Sequence, residues 1–256
     1  MSQSSVKQAP FKALLLALAL LASSALPASA HQPVFLASEA VRIETSPVLV
    51  EGSISFAVTA NFAKSGERKY FRFALGAGEA LKLEYLILDR RPENRLKNSQ
   101  LPVVTITSPS GKKSSLRINE RTKFYEPYGR QNYLFLSRVN QQGESGIYTV
   151  MLRSRAKASA LVAVGSQEVR GEVMQIGSSL GTCPVKIADE MEITDKRAGQ
   201  LVGLSERAGE LCATLNGWSY RVIQRDGEDF AVTMDYRSNR INVKVKSDKI
   251  FEVTVG

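Results

Sequence analysis

Tyr70-Phe71-Arg72-Phe73-Ala74-Leu75-Gly76-Ala77-Gly78 leads, after two further residues, into Leu81-Lys82-Leu83-Glu84-Tyr85. The first run is aromatic and β-rich and stops at a pair of glycines. The second alternates apolar with charged side chains. A period of two puts every second side chain on one face, as a half-buried strand requires. The same texture extends both ways. Upstream, Val41-Arg42-Ile43-Glu44 and Ile54-Ser55-Phe56-Ala57-Val58 alternate. Downstream, Val103-Val104-Thr105-Ile106-Thr107 ends at the turn Ser108-Pro109-Ser110-Gly111, and Tyr133-Leu134-Phe135-Leu136 follows. Gly143-Glu144-Ser145-Gly146 then precedes Ile147-Tyr148-Thr149-Val150-Met151-Leu152. Short runs punctuated by Gly and Pro predict an all-β antiparallel sandwich over residues 31–176, uninterrupted by any helical period.

Gly177-Ser178-Ser179-Leu180-Gly181-Thr182 reads as a small, flexible linker over 177–182. Beyond it the texture changes. Ser205 is placed to cap a helix, with Glu206 at its positive end. Ala208, Leu211, Cys212 and Leu215 fall at helical spacing on one face, and Asn216-Gly217 ends the pattern. Tyr220-Arg221-Val222-Ile223, Ile241 to Val245 and Ile250 to Val255 read as strands. Residues 183–256 are therefore expected to form a second, α+β domain, one helix packed on a small sheet.

The first thirty residues read as an export signal. Lys7 and Lys12 precede the apolar run from Ala13 to Leu26, and Ala28-Ser29-Ala30 places cleavage before His31. That run is short for a membrane span, and no cysteine follows it to carry a lipid. The expected mature chain is periplasmic or secreted, without a transmembrane anchor. Its charge is uneven. Residues 182–256 carry 11 basic against 12 acidic side chains, whereas residues 31–181 carry 21 against 13. A basic half of this kind suits anionic cell-envelope polymers or a simple solvated surface. Arg90-Arg91, Arg95 and Lys97 cluster in one polar insertion, and Lys112-Lys113 occupies a turn. No nucleic-acid motif is present, and export makes such a partner unexpected. Cys183 and Cys212 are the only cysteines. In an oxidising compartment they read as a disulfide closing a loop of about 30 residues, the alternative being two buried free thiols.

Catalytic chemistry lacks its usual parts. His31 is the only histidine, so neither a Ser-His-Asp nor a Cys-His arrangement can be assembled in the folded body. Zinc ligands at a usable spacing are missing, no acid pair stands out for glycoside hydrolysis, and no cofactor is implied. The chain is expected not to be an enzyme.

Two family resemblances sit on quoted residues. Tyr70-Phe71-Arg72-Phe73 with Gly76-Ala77-Gly78-Glu79, then Thr107-Ser108-Pro109-Ser110-Gly111, then Gly146-Ile147-Tyr148-Thr149-Val150 is similar to the bacterial pre-peptidase C-terminal domain, a small secreted sandwich. These patterns are degenerate and imply architecture alone. The C-terminal half resembles the potato inhibitor I family of serine protease inhibitors and its bacterial and fungal elastase-inhibiting relatives. Gln200-Leu201-Val202-Gly203-Leu204-Ser205, Tyr220-Arg221-Val222-Ile223, Val232-Thr233-Met234-Asp235-Tyr236-Arg237, Arg240-Ile241-Asn242-Val243 and Val253-Thr254-Val255-Gly256 carry it.

This second resemblance implies a substrate-like reactive loop, Val232, Thr233, Met234, Asp235 and Tyr236, offered to a serine protease with an apolar primary pocket. Met234 falls on the primary specificity position and Asp235 just after the scissile bond. Arg237, Arg240 and Asn242 are implied as loop support. The chain departs from the family in two places. Asn242 stands where the supporting strand often carries a second arginine. The stretch with Arg225-Asp226-Gly227-Glu228-Asp229 is also longer than usual, and its acids would either repel an acidic protease or bulge away. The alternative expectation is a non-catalytic envelope-binding module in which the basic sandwich does the work.

Overall fold

A computed structural model describes residues 31–38 and 40–256; the expected signal peptide lies outside the described residues. His31–Gly256 gathers into one compact unit, rich in strands. The first twelve strands are β1 (Gln32–Phe35), β2 (Val48–Leu49), β3 (Phe56–Phe62), β4 (Arg68–Leu75), β5 (Ala80–Leu88), β6 (Val103–Thr107), β7 (Lys113–Ser115), β8 (Thr122–Glu126), β9 (Gln131–Gln142), β10 (Gly146–Arg153), β11 (Ala158–Val164) and β12 (Val173–Met174). They form two six-stranded sheets, ordered β1-β3-β11-β5-β9-β8 and β12-β2-β4-β10-β6-β7.

Alternation explains the layering. Leu81, Leu83, Tyr85 and Ile87 of β5 meet Phe71, Phe73 and Leu75 of β4 in a shared apolar core, which also takes Phe56, Leu136 and Leu152. Phe73 stacks on Tyr148 with centroids 5.0 Å apart. Tyr85 is fully buried, and its hydroxyl donates to the Pro102 carbonyl at 2.8 Å. That bond satisfies the one polar atom such a ring brings into a core. Burial also pushes the Tyr85 phenol well above its ordinary pKa.

The pairing departs from the antiparallel expectation at two places: β1 runs parallel to β3, and β2 parallel to β4. The chain crosses between the sheets at each of these steps, so strands two apart in sequence become neighbours running the same way, a geometry no tight hairpin can make. Val41 to Glu44 also departs from expectation. It forms turns and bends, with Val41 and Ile43 exposed.

The rest of the chain comprises β13 (Ile176–Gly177), β14 (Cys183–Pro184), the short helix α1 (Asp195–Gly199), α2 (Glu206–Asn216), β15 (Ser219–Arg225), β16 (Glu228–Asp229), β17 (Arg240–Lys246) and β18 (Lys249–Val255). Residues 178–182 form a loop whose base is the parallel pair β13–β14, so Gly177 of the expected linker belongs to a strand, and Gly181 N donates to Gln200 O at 2.8 Å. Ser205 caps α2 by accepting from Ala208 N at 3.1 Å, and Gly217 ends it in the left-handed region at φ 80°. The helix lies against a sheet ordered β16-β15-β17-β18, in which β15 and β17 are parallel. Cys183 and Cys212 form a disulfide between β14 and α2.

A second core fills this region with Ala208, Cys212, Trp218, Ile241, Val243, Val245 and Ile250. It also takes in Val48, Val50 and Met174, whereas Leu49 between the two valines faces the first core. One extended segment thus feeds both cores from its opposite faces. Among the described residues, no helix is long and apolar enough to cross a membrane.

Candidate functional site

Strand β17 puts Ile241, Val243 and Val245 into the second core, so Arg240 and Asn242 must face the other way. In the parallel register Arg221 of β15 stands beside Asn242, and Thr254 of β18 lies on its other side. The result is a polar sheet face with two arginines on it. Residues 230–237, which have no regular secondary structure, connect β16 to the turn before β17.

The bonds converge on Asp235. Its carboxylate accepts from the Thr233 hydroxyl, from Arg237 Nε at 2.8 Å and from Arg240 Nη1 at 3.2 Å. Arg221 Nη1 is 3.9 Å away. Arg240 is almost fully buried, and it also donates to the Asp235 carbonyl and, through Nε, to Gly256 O at 2.8 Å. Arg221 Nη1 donates to the Thr233 carbonyl at 3.2 Å and its hydroxyl at 3.3 Å. Guanidinium groups suit this work because their donors are fixed in a plane and bonds to charged partners are the stronger kind.

Asn242 orients the assembly from beneath. Its carbonyl oxygen accepts from Arg221 Nε at 2.8 Å, and its amide donates to Gly256 O at 2.6 Å. Gly256 meets the loop from the other side. A Cβ there would lie 3.1 Å from the Tyr236 ring, and the residue's φ is +146°. A residue with a side chain would meet both the ring and a backbone conformation L residues avoid.

The Asp235 carboxyl is held far below the usual carboxylate range, first by the Thr233 hydroxyl, then by Arg237 and Arg240. It therefore stays ionised, and its acceptors stay available, throughout ordinary pH. Amid this bracing Met234 is 98% exposed. The backbone on both sides of it is held through residues 233 and 235, and its own side chain touches nothing that would position it. Tyr236 and Val232 are exposed to a lesser degree.

The long acidic stretch is a hairpin. β15 turns at Asp226-Gly227, both at positive φ, into β16, the pairing that an Asp-Gly turn favours. Asp226 accepts from Ser247 N at 2.7 Å and Asp229 from Gln224 at 2.7 Å, so two of the three acids are engaged within the sheet edge.

Sequence reasoning singled out Arg237, Arg240 and Asn242 but passed over Arg221. The available signal was its place in Tyr220-Arg221-Val222-Ile223, where it faces opposite to its neighbours. Its pairing with Asn242 depends on a parallel register between strands separated by the whole loop, which no local pattern reveals.

No protein-family model matches the chain, and no curated protein matches it.

Proposed function

We propose that this chain is an exported serine protease inhibitor whose residues 232–236 enter a protease cleft as a substrate-like strand. In this reading the sandwich and the α+β region are two domains joined through the segment Val48–Val50 that both cores share, the second of the potato inhibitor I type, and neither is an enzyme. The observation that carries it is the contrast within three residues. Thr233 and Asp235 are held by a convergent set of donors, while Met234 between them is bare. A protease reads an extended peptide by edge pairing with side chains dropping into pockets. A peptide already fixed in shape loses little conformational entropy on docking. Braced ends would also keep a cleaved Met234–Asp235 bond together and favour its resynthesis. Met234 is long, unbranched and apolar, which suits the primary pocket of subtilisin-, chymotrypsin- or elastase-like enzymes.

The test is titration of the full chain against subtilisin, chymotrypsin, elastase and trypsin, then again with Met234→Arg. Tight inhibition of one of the first three is expected, with the variant shifting toward trypsin. Rapid degradation, or no inhibition by either form, would sink the reading.

A second role, binding anionic envelope polymers through the sandwich, is supported by a groove of about 400 Å³ in which Arg117 and Arg155 stand beside Leu101, Val103, Leu116 and Ile118. Arg91, Arg95, Lys112 and Lys113 are also exposed on the same half of the chain. Sedimentation with cell walls that high salt abolishes is expected. Binding that salt leaves unchanged would remove this role.

A further inference from the structure

The segment between β14 and α1 is tied to the exit of the loop. Ile193 N donates to Ser238 O at 2.9 Å, and Ser238 Oγ donates to Met191 O at 3.2 Å. Ser238 lies four residues past Met234. On this segment Met191 is 85% exposed and Ile187 50%, beside a turn at Ala188-Asp189 in which Asp189 has φ +55°.

Exposed apolar residues on loops are ordinary, but the anchoring of this one is not. Glu190, next to Met191, is nearly buried and forms an ion pair with Arg197, whose Nε lies 2.6 Å from Oε1. Its other oxygen accepts from Trp218 Nε1 at 2.8 Å and Arg197 Nη2 at 3.2 Å. Arg197 further donates to Val185 O at 3.1 Å and Asn216 Oδ1 at 3.2 Å, and it lies over the Trp218 ring. Asn216 donates to Pro184 O at 3.3 Å, beside the disulfide. A nearly buried ion pair has to offset heavy desolvation, and it does so only when its remaining donors and acceptors are also used. Here Arg197 Nη1 and Nη2 and one Glu190 oxygen are hydrogen-bonded, while Arg197 Nε meets Glu190 by charge alone, and the outcome is an anchored backbone carrying an exposed methionine next to the loop.

We infer that residues 187–191 are a second contact surface for the same protease, on the side of the cleft that takes the residues after the scissile bond. This rests on the reading of 232–236 as the reactive loop. When that strand lies in a cleft, Asp235, Tyr236, Arg237 and Ser238 leave it on one side. A segment bonded to Ser238 through residues 191 and 193 is carried to the enzyme surface with them. Methionine adapts its shape to an apolar surface and is enriched at interface cores. Asp189 and Glu192 flank it and are exposed, so the enzyme surface that fits is an apolar patch with a basic rim.

The test uses the full chain and three forms: wild type, Met191→Asp and Met234→Arg. Inhibition constants and dissociation rates are measured against whichever protease the wild type inhibits. Met191→Asp is expected to raise the inhibition constant about tenfold, mainly through faster dissociation, while leaving the order of preference among proteases unchanged. Thermal unfolding should match the wild type, since Met191 supports no core. A constant within about twofold of wild type, with Met234→Arg altering specificity, would overturn the second surface and leave the loop reading standing. Absence of inhibition by the wild type would remove both.

Discussion

The sandwich core and the braced loop solve the same problem with different materials. Phe56, Phe71, Phe73 and Tyr85 are buried completely, and they hold two sheets together by area removed from water, a non-directional force. The loop has no such area to bury. Met234 and Tyr236 face solvent, so its shape is fixed by directional bonds from Arg221, Arg237 and Arg240 and by the acceptors of Asp235, Thr233 and Gly256. Under the proposed function this surface is buried only in a partner, so it cannot be stabilised by burial beforehand. Polar bracing from below leaves the top face free.

The contrast can be strained from either side. The largest effect is expected in the core: Phe73→Ala should lower unfolding free energy by about 3–5 kcal/mol, read from urea unfolding. Inhibition by the fraction still folded should be unaltered, and a change in the inhibition constant without loss of stability would contradict the division of labour. Arg240→Ala comes next, at about 2–3 kcal/mol, because it leaves the Asp235 carbonyl without its buried donor and Gly256 O with the Asn242 amide alone. Under the proposed function it should also speed protease cleavage after Met234 relative to the wild type, followed by mass spectrometry; an unchanged cleavage rate would mean the brace does not set loop rigidity. Asn242→Ala should cost about 1 kcal/mol and be non-additive with Arg221→Ala, because one side chain holds the other. A double-mutant cycle giving simple additivity would show that Arg221 is positioned without Asn242.

The smallest effect is on pH. The Asp235 pKa is depressed on folding, so its contribution is complete above the unfolded value of about 3.9 and fades as pH falls toward the folded value. The stability difference between wild type and Asp235→Asn should therefore be constant from neutral pH to about 5 and shrink only below about 4. A difference that already fades near pH 6 would rule this linkage out.

Local chemistry made much of this readable in advance. Ser205, the Ala208–Leu215 stripe and Gly217 mark α2 because cap, face and stop are adjacent in the chain. Loop residues 232–237 and Arg240 were singled out through the family resemblance, since taken alone Met234 reads as a surface methionine and Arg240 as a solvated strand charge. Val41 to Glu44 misled because alternation makes a strand only where a neighbour supplies the ladder, and none pairs there. Helix α1 is too short to show a period. The parallel pairs β1–β3 and β2–β4, and the Arg221–Asn242 contact, depend on crossings that join distant segments. Two acids of the long insertion proved to be anchored in a hairpin, which the charge run by itself did not disclose.

The three residues Val48, Leu49 and Val50 point alternately into the second core, the first core and the second core again. A boundary drawn through the chain by texture is therefore not a line along which the folded protein can be cut. A fragment starting at Cys183 would carry the whole loop and its arginines yet arrive with a hole in its floor where Val48, Val50 and Met174 belong. The half that looks transplantable is, in mechanical terms, riveted to a strand more than a hundred residues upstream.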